Sequence, residues 1–269
     1  MFIGQRDEEI VDSFLSKPRI QRIYSACQES SERYYNQPGH PRRGLEIVPY
    51  CDAEKGSAEY LLGLFIVRFR HDSEEAECTL AHELLHCRLV LDGATLPILL
   101  REDSPASTEL VHDMLVRSIS HHTFIISELK RYGFGSELHK YALLPDLLLQ
   151  PATASDDASD ETCWERAFVL SLIGKSLFVS SGDAYDMFRL RVRQQGLEEL
   201  YDLICGKFPD DINPIEHVNA LSQEVIRVFE VEKDIRLVDL EEFSTWYEGH
   251  RKCGYRHLNW TASSTFEAG

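Results

Sequence analysis

The stretch from Ser73 to Val90 constrains the fold more than any other part of the chain. At helical spacing, Leu80, Leu84 and Leu91 form one apolar stripe, and Leu85 with Leu89 forms a second. A helix that is apolar on two sides has to be covered on both, so it belongs inside a layered core. Asp72 and Ser73, followed by Glu74, Glu75 and Glu77, make the expected start, because carboxylates favour the positive end of the helix dipole.

That same buried helix carries Ala81-His82-Glu83-Leu84-Leu85-His86. Two histidines at i and i+4 stand one turn apart on one face, the separation at which two imidazoles share a metal ion. Glu83 lies about a quarter turn away. There it can take a proton from a water activated by the metal and deliver it to a leaving amine. Zinc is the natural ion, since it accepts nitrogen and oxygen ligands tetrahedrally and works with one position open. Two histidines and a glutamate on a buried helix also need polar partners, which a metal supplies.

The flanking segments predict an α+β fold. Residues 8–36 show helical spacing (Ile10, Phe14, Ile20, Ile23, Tyr24) interrupted at Pro18, and the Pro- and Gly-rich stretch Asn36–Gly44 ends that region. Leu45–Tyr50 and Tyr60–Phe69 are β-rich runs separated by the polar turn Asp52–Ser57, expected as two strands of a small antiparallel or mixed sheet. After a loop with Gly93, Pro97 and Pro105, one long helix is expected over Ser107–Arg131, stopped by Gly133, and a shorter one over Gly135–Leu149. The small, acidic segment Ala152–Glu161 reads as a linker. Beyond it everything reads helical: Thr162–Leu177, Asp183–Gly206, Pro214–Glu232 and Leu237–Gly249. The expected organisation is a domain over residues 1–150 with the sheet and the His82–His86 helix, then an all-helical C-terminal domain over 161–269.

Charge and composition remove several function classes. The chain has 269 residues, 28 Lys plus Arg against 45 Asp plus Glu, and a net charge of −17. After residue 150 the count is 22 acids against 12 bases, so neither half offers the basic face that nucleic acid requires. No apolar run approaches the ~20 residues of a membrane span, and Met1–Asp7 lacks the apolar core of a signal peptide. The seven cysteines are odd in number and contain no CxxC pair, which predicts reduced, buried thiols and a cytoplasmic setting. Of the 11 histidines, seven (His71, His82, His86, His112, His121, His122 and His139) crowd into one quarter of the chain.

A strand, an acidic helix start and then Glu77-Cys-Thr-Leu-Ala-His82-Glu83-Leu-Leu-His86 resemble the active-site region of zincin-type zinc metallopeptidases, over residues 45–133. The resemblance implies zinc held by His82 and His86, Glu83 as general base, and a peptide or protein substrate lying along Tyr60–Phe69 as an edge strand. It also requires a third ligand. The metzincin pattern wants a glycine and a ligand where this chain has Leu89 and Asp92, which leaves Asp92 a poor candidate. The gluzincin pattern fits Glu109, with Asp113 four residues on.

Periodicity points elsewhere. On one continuous helix at about 100° per residue, Val111, Met114, Leu115, Ser118, Ile125, Ile126 and Leu129 share a face with His122 at its centre and His121 at its edge. Glu109 and Asp113 fall on the opposite side. The third ligand is therefore His122 by face and Glu109 by pattern, with His112 and His121 behind them. Arg131, Tyr132, His112 and His139 are candidates to stabilise an oxyanion. Cys87 reads as core packing, and the basic segment His250–His257 as a solvated tail. The function expected is zinc-dependent peptide hydrolysis. The alternative is a catalytically silent zincin-like protein whose helical half binds a partner.

Overall fold

Pro18 ends one helix and begins the next. In the computed structural model, which describes residues 5–36, 44–50, 56–61, 64–101, 104–116, 119–138, 166, 169, 173, 183–205, 213–251 and 261–263, α1 spans Gln5–Leu15 and α2 spans Pro18–Tyr35. Proline is tolerated at the first helical position because its missing N–H would have no intrahelical acceptor there. Ile20, Ile23, Cys27 and Ser30 recur at three- and four-residue spacing and are buried, giving α2 one inward face.

Three strands stand where two were expected: β1 (Leu45–Tyr50), β2 (Gly56–Leu61) and β3 (Leu64–Arg70). Gly56 and Ser57, expected in a turn, are extended, and the run expected as one strand over Tyr60–Phe69 is shared between β2 and β3. The sheet is mixed. β1 runs parallel to β3 with Leu45 opposite Phe65, and β2 runs antiparallel to β3 with Gly56 opposite Phe69. A short β6 (Thr261–Ser263) adds antiparallel to β2, giving the order β1-β3-β2-β6. The expected edge strand is thereby corrected. β3 is paired on both sides, so its backbone is engaged in ladders and cannot take a peptide alongside.

α3 (Ala76–Leu91) lies between α2 and the β2–β3 face, and every residue of it except Glu77 and Arg88 is buried. This double cover answers the two apolar stripes. From the sheet, Phe65, Val67 and Phe69 alternate inward toward the core. The helix starts three residues later than expected, for a local reason: the Asp72 carboxylate accepts from Arg70 Nε at 2.8 Å and the Ser73 hydroxyl donates back to the Arg70 carbonyl. Neither side chain caps α3, whose N-cap is Glu75. Glu77, in the first turn, is gripped by Arg19 at 3.0 Å and Lys17 at 3.5 Å.

The chain divides into two compact units that cut across the expected 1–150 and 161–269 domains. The first comprises Met1–Leu96, Glu128–Gly135 and Asp239–Gly269, and the second Pro97–Ser127 and Ser136–Val238. The C-terminal segment belongs with the first unit because β6 pairs with β2. The linker expected over 152–161 lies outside the described residues, as do most of the helices expected over 135–149 and 162–177.

In the second unit, β4 (Leu96–Leu99) pairs with β5 (Ile235–Val238), beside α4 (Ala106–Val116), α6 (Asp183–Gln194), α7 (Glu198–Cys205) and α8 (Pro214–Val228). Its core gathers Val111, Leu115, Phe188, Val192, Leu200 and Val225. The helix expected over 107–131 is described as two, α4 and α5 (Ile119–Arg131), with residues 117 and 118 outside the described set. The unit boundary falls within α5, whose last four residues belong to the first unit. The helix expected over Asp183–Gly206 is divided at Gly196, which takes a left-handed φ of 66° that side chains disfavour. The C-terminal part is not all helical either. Leu237 and Val238 belong to β5, and α9 (Leu240–Arg251) begins where the Asp239 carboxylate accepts from Glu242 N at 2.8 Å. Among the described residues, no helix is long and apolar enough to cross a membrane.

Candidate metal centre

One turn of α3 supplies most of the site. The imidazoles of His82 and His86 meet edge-on with centroids 4.7 Å apart, as i, i+4 spacing on a helix dictates. His82 is 5% exposed, while His86 and Glu83 are 0% exposed. Burial holds the His82 pKa down at about 4, so this imidazole is neutral near pH 7 and able to ligate a cation. Its Nδ1 lies 3.2 Å from Glu83 Oε1. With His82 neutral, the contact is a hydrogen bond and not an ion pair. An ionised carboxylate only accepts, so with Glu83 charged this contact takes its proton from the Nδ1–H tautomer of His82.

Gly56 shapes the floor beside Glu83. A Cβ placed there would come within 2.5 Å of Thr79 Cγ2, 3.2 Å of the Arg68 carbonyl and 3.2 Å of Glu83 Cγ. Any side chain at the start of β2 would therefore press on the stem of the glutamate. Sequence reasoning placed Gly56 in a turn and missed this role. The available signal was a glycine at the head of a β-rich run, which marks a close backbone approach as readily as a turn.

His122 is carried by α5, where Ile125, Ile126 and Leu129 are buried with it on the face that periodicity assigned. Because all four lie within α5, that face does not depend on continuity with α4. Among the described residues, the group able to hold a cation is His82, His86 and His122, each offering one nitrogen within 4.8 Å of the others. Three buried imidazoles suit zinc, and equally copper, iron or nickel. A tetrahedral ion on three protein ligands keeps a fourth position, the pattern of catalytic rather than structural zinc sites.

The other candidates lie elsewhere. Glu109 is exposed on α4 and outside that group, and His121 is buried on α5 but also outside it. His112, partly buried on α4, donates to the Pro97 carbonyl, and burial holds its pKa down at about 4. Asp92 closes α3 and is taken by Arg33 at 2.9 Å and Arg88 at 3.4 Å. Arg131 pairs with Glu128 and its guanidinium lies 5.0 Å from the Tyr132 ring centroid, so both oxyanion candidates on that turn are otherwise engaged. His139 and the side chains of 250–257 lie outside the described residues. Cys87 is a buried free thiol whose pKa burial pushes well up, so it packs and does not attack. Cys27 and Cys78 are buried free thiols too.

Compared with known protein families, curated proteins and solved structures, the chain matches none of them.

Proposed function

We propose that this protein is a zincin-like zinc metallopeptidase, in which His82, His86 and His122 hold the metal and Glu83 is the general base. The observation that carries the reading is the single turn of α3 on which a buried carboxylate adjoins two buried imidazoles set one turn apart. The mixed sheet lying on that helix fits a zincin-like fold. Bound zinc would polarise the scissile carbonyl and lower the pKa of water toward ~7.

The chain's own residues then divide the work. His82 enters neutral, ready to donate a lone pair without first losing a proton. Glu83 accepts a proton from the attacking water at its carboxylate and returns it to the amine nitrogen as the peptide C–N bond breaks. Burial of Glu83 keeps bulk water from competing for the proton. The substrate class is a peptide or protein. The net charge of −17 disfavours a nucleic-acid substrate.

A second reading draws on the same burial. With Glu83 and His86 wholly covered, a metal here would also serve as an internal staple in a catalytically silent zincin-like protein that works by binding a partner. One experiment separates the two. Zinc per chain is measured alongside cleavage of a peptide library, with and without chelator, for wild type and Glu83→Gln. The peptidase reading expects one zinc per chain in both proteins, with chelator-sensitive cleavage in wild type alone. Zinc without cleavage selects the silent protein, and wild type without zinc overturns both.

A further inference from the structure

Adjacent residues on a helix point about 100° apart and do not ordinarily face each other. The 3.2 Å contact between His82 Nδ1 and Glu83 Oε1 therefore requires the glutamate to fold back along α3. Its surroundings impose that conformation. Glu83 is wholly buried, Thr79 stands one turn before it, and the start of β2 comes so close that only glycine fits at position 56. The stem of Glu83 is confined on the sheet side, and no bulk water reaches it to draw the carboxylate away.

We infer that Glu83 is a positioning residue for His82 as well as the base: its carboxylate accepts the His82 Nδ1 proton, which fixes the ring orientation and makes Nε2 the nitrogen with a free lone pair for the metal. Metal-binding histidines commonly pass their second N–H to a carboxylate, and that outer partner is worth roughly 10–100-fold in metal affinity. Here the neighbouring residue takes that place, so one side chain couples holding the metal to using it. The inference rests on the reading of His82 as a ligand, but the tautomer it requires is a property of the chain without metal.

Two measurements on the full-length protein test it. In the metal-free protein, long-range ¹H–¹⁵N NMR, with the His82 signals identified by their loss in His82→Gln, should show the proton on Nδ1 in wild type and in Glu83→Gln. The amide oxygen of glutamine still accepts that bond. Glu83→Ala should lose the fixed tautomer. Zinc affinity, measured by chelator competition, should stay within about threefold of wild type in Glu83→Gln and fall roughly 10–100-fold in Glu83→Ala. A wild-type His82 protonated on Nε2, or undiminished zinc affinity in Glu83→Ala, overturns the inference. Wild type that binds no zinc overturns the proposed function instead, and the tautomer measurement still decides the orienting contact.

Discussion

Arg88 on α3 donates to Glu128 on α5 across 3.3 Å, with side-chain exposures of 22% and 10%. The pair is the middle of a longer alternation. Arg33 bonds Asp92, Asp92 faces Arg88, and Glu128 also accepts from Arg131. The chain of charges thus ties α2, α3 and the last turn of α5 within the first unit. A network of this kind spreads the ordering cost over several contacts, whereas an isolated surface pair contributes ~0–1 kcal/mol.

Replacing Arg88 by Met tests that tie. Glu128 keeps Arg131 and Asp92 keeps Arg33, so the loss should be about 1–3 kcal/mol, below the ~3–5 kcal/mol of a fully orphaned buried charge. Urea midpoints for Arg88→Met, Glu128→Gln and the double variant should give a coupling of at least ~0.5 kcal/mol. Strict additivity would mean the contact is geometric only.

The third ligand is decided by metal content. His82→Ala, His86→Ala and His122→Ala should each weaken zinc by more than the ~10–100-fold that loss of an outer partner costs. Glu109→Ala and Asp92→Ala should leave it intact, because the first side chain is exposed on α4 and the second is held by two arginines. Zinc retained in His122→Ala and lost in Glu109→Ala would reverse the assignment.

Gly56→Ala should destabilise by about 1–3 kcal/mol, the usual cost of forcing a methyl group into a filled core. Its nearest obstacle is Thr79 Cγ2 at 2.5 Å, on a buried turn of α3 with little room to yield. Thr79→Ser removes that methyl and keeps the hydroxyl, so adding it to Gly56→Ala should recover part of the loss. A Gly56→Ala protein with wild-type thermal stability would show that strand and helix separate easily.

What could be read in the sequence was local, and what could not was decided by distant or competing contacts. The doubly apolar helix and the His82–Glu83–His86 turn follow from spacing alone, and so does the His122 face, because Ile125, Ile126 and Leu129 lie on the same helix. The start of α3 was misplaced because Arg70 captures Asp72, a competition between side chains that helix-start rules do not contain. The central place of β3 depends on which strands pair, and β6 reaches β2 from the far end of the chain. Gly56 looked like a turn residue because the methyl that excludes a side chain there belongs to Thr79, on a separate element.

Acid should weaken the metal-free protein through its buried neutral histidines, and His112 gives the cleanest reading of it. Burial lowers the His112 pKa from an ordinary 6.5 to about 4 while its ring N–H donates to the Pro97 carbonyl. The unfolded chain binds a proton here as pH falls through 6.5, whereas the folded chain resists until about pH 4. Between those limits unfolding takes up about one proton per such group, so stability rises with pH across the window and is unaffected by this group above it. His82 is shifted in the same direction to the same value, so wild type should show the combined slope. His112→Asn keeps a donor for Pro97 but cannot titrate. Urea midpoints at pH 4, 5, 6 and 7 should therefore give a slope shallower than wild type by about one proton. An identical slope in the two proteins would show that His112 is protonated in the folded chain already.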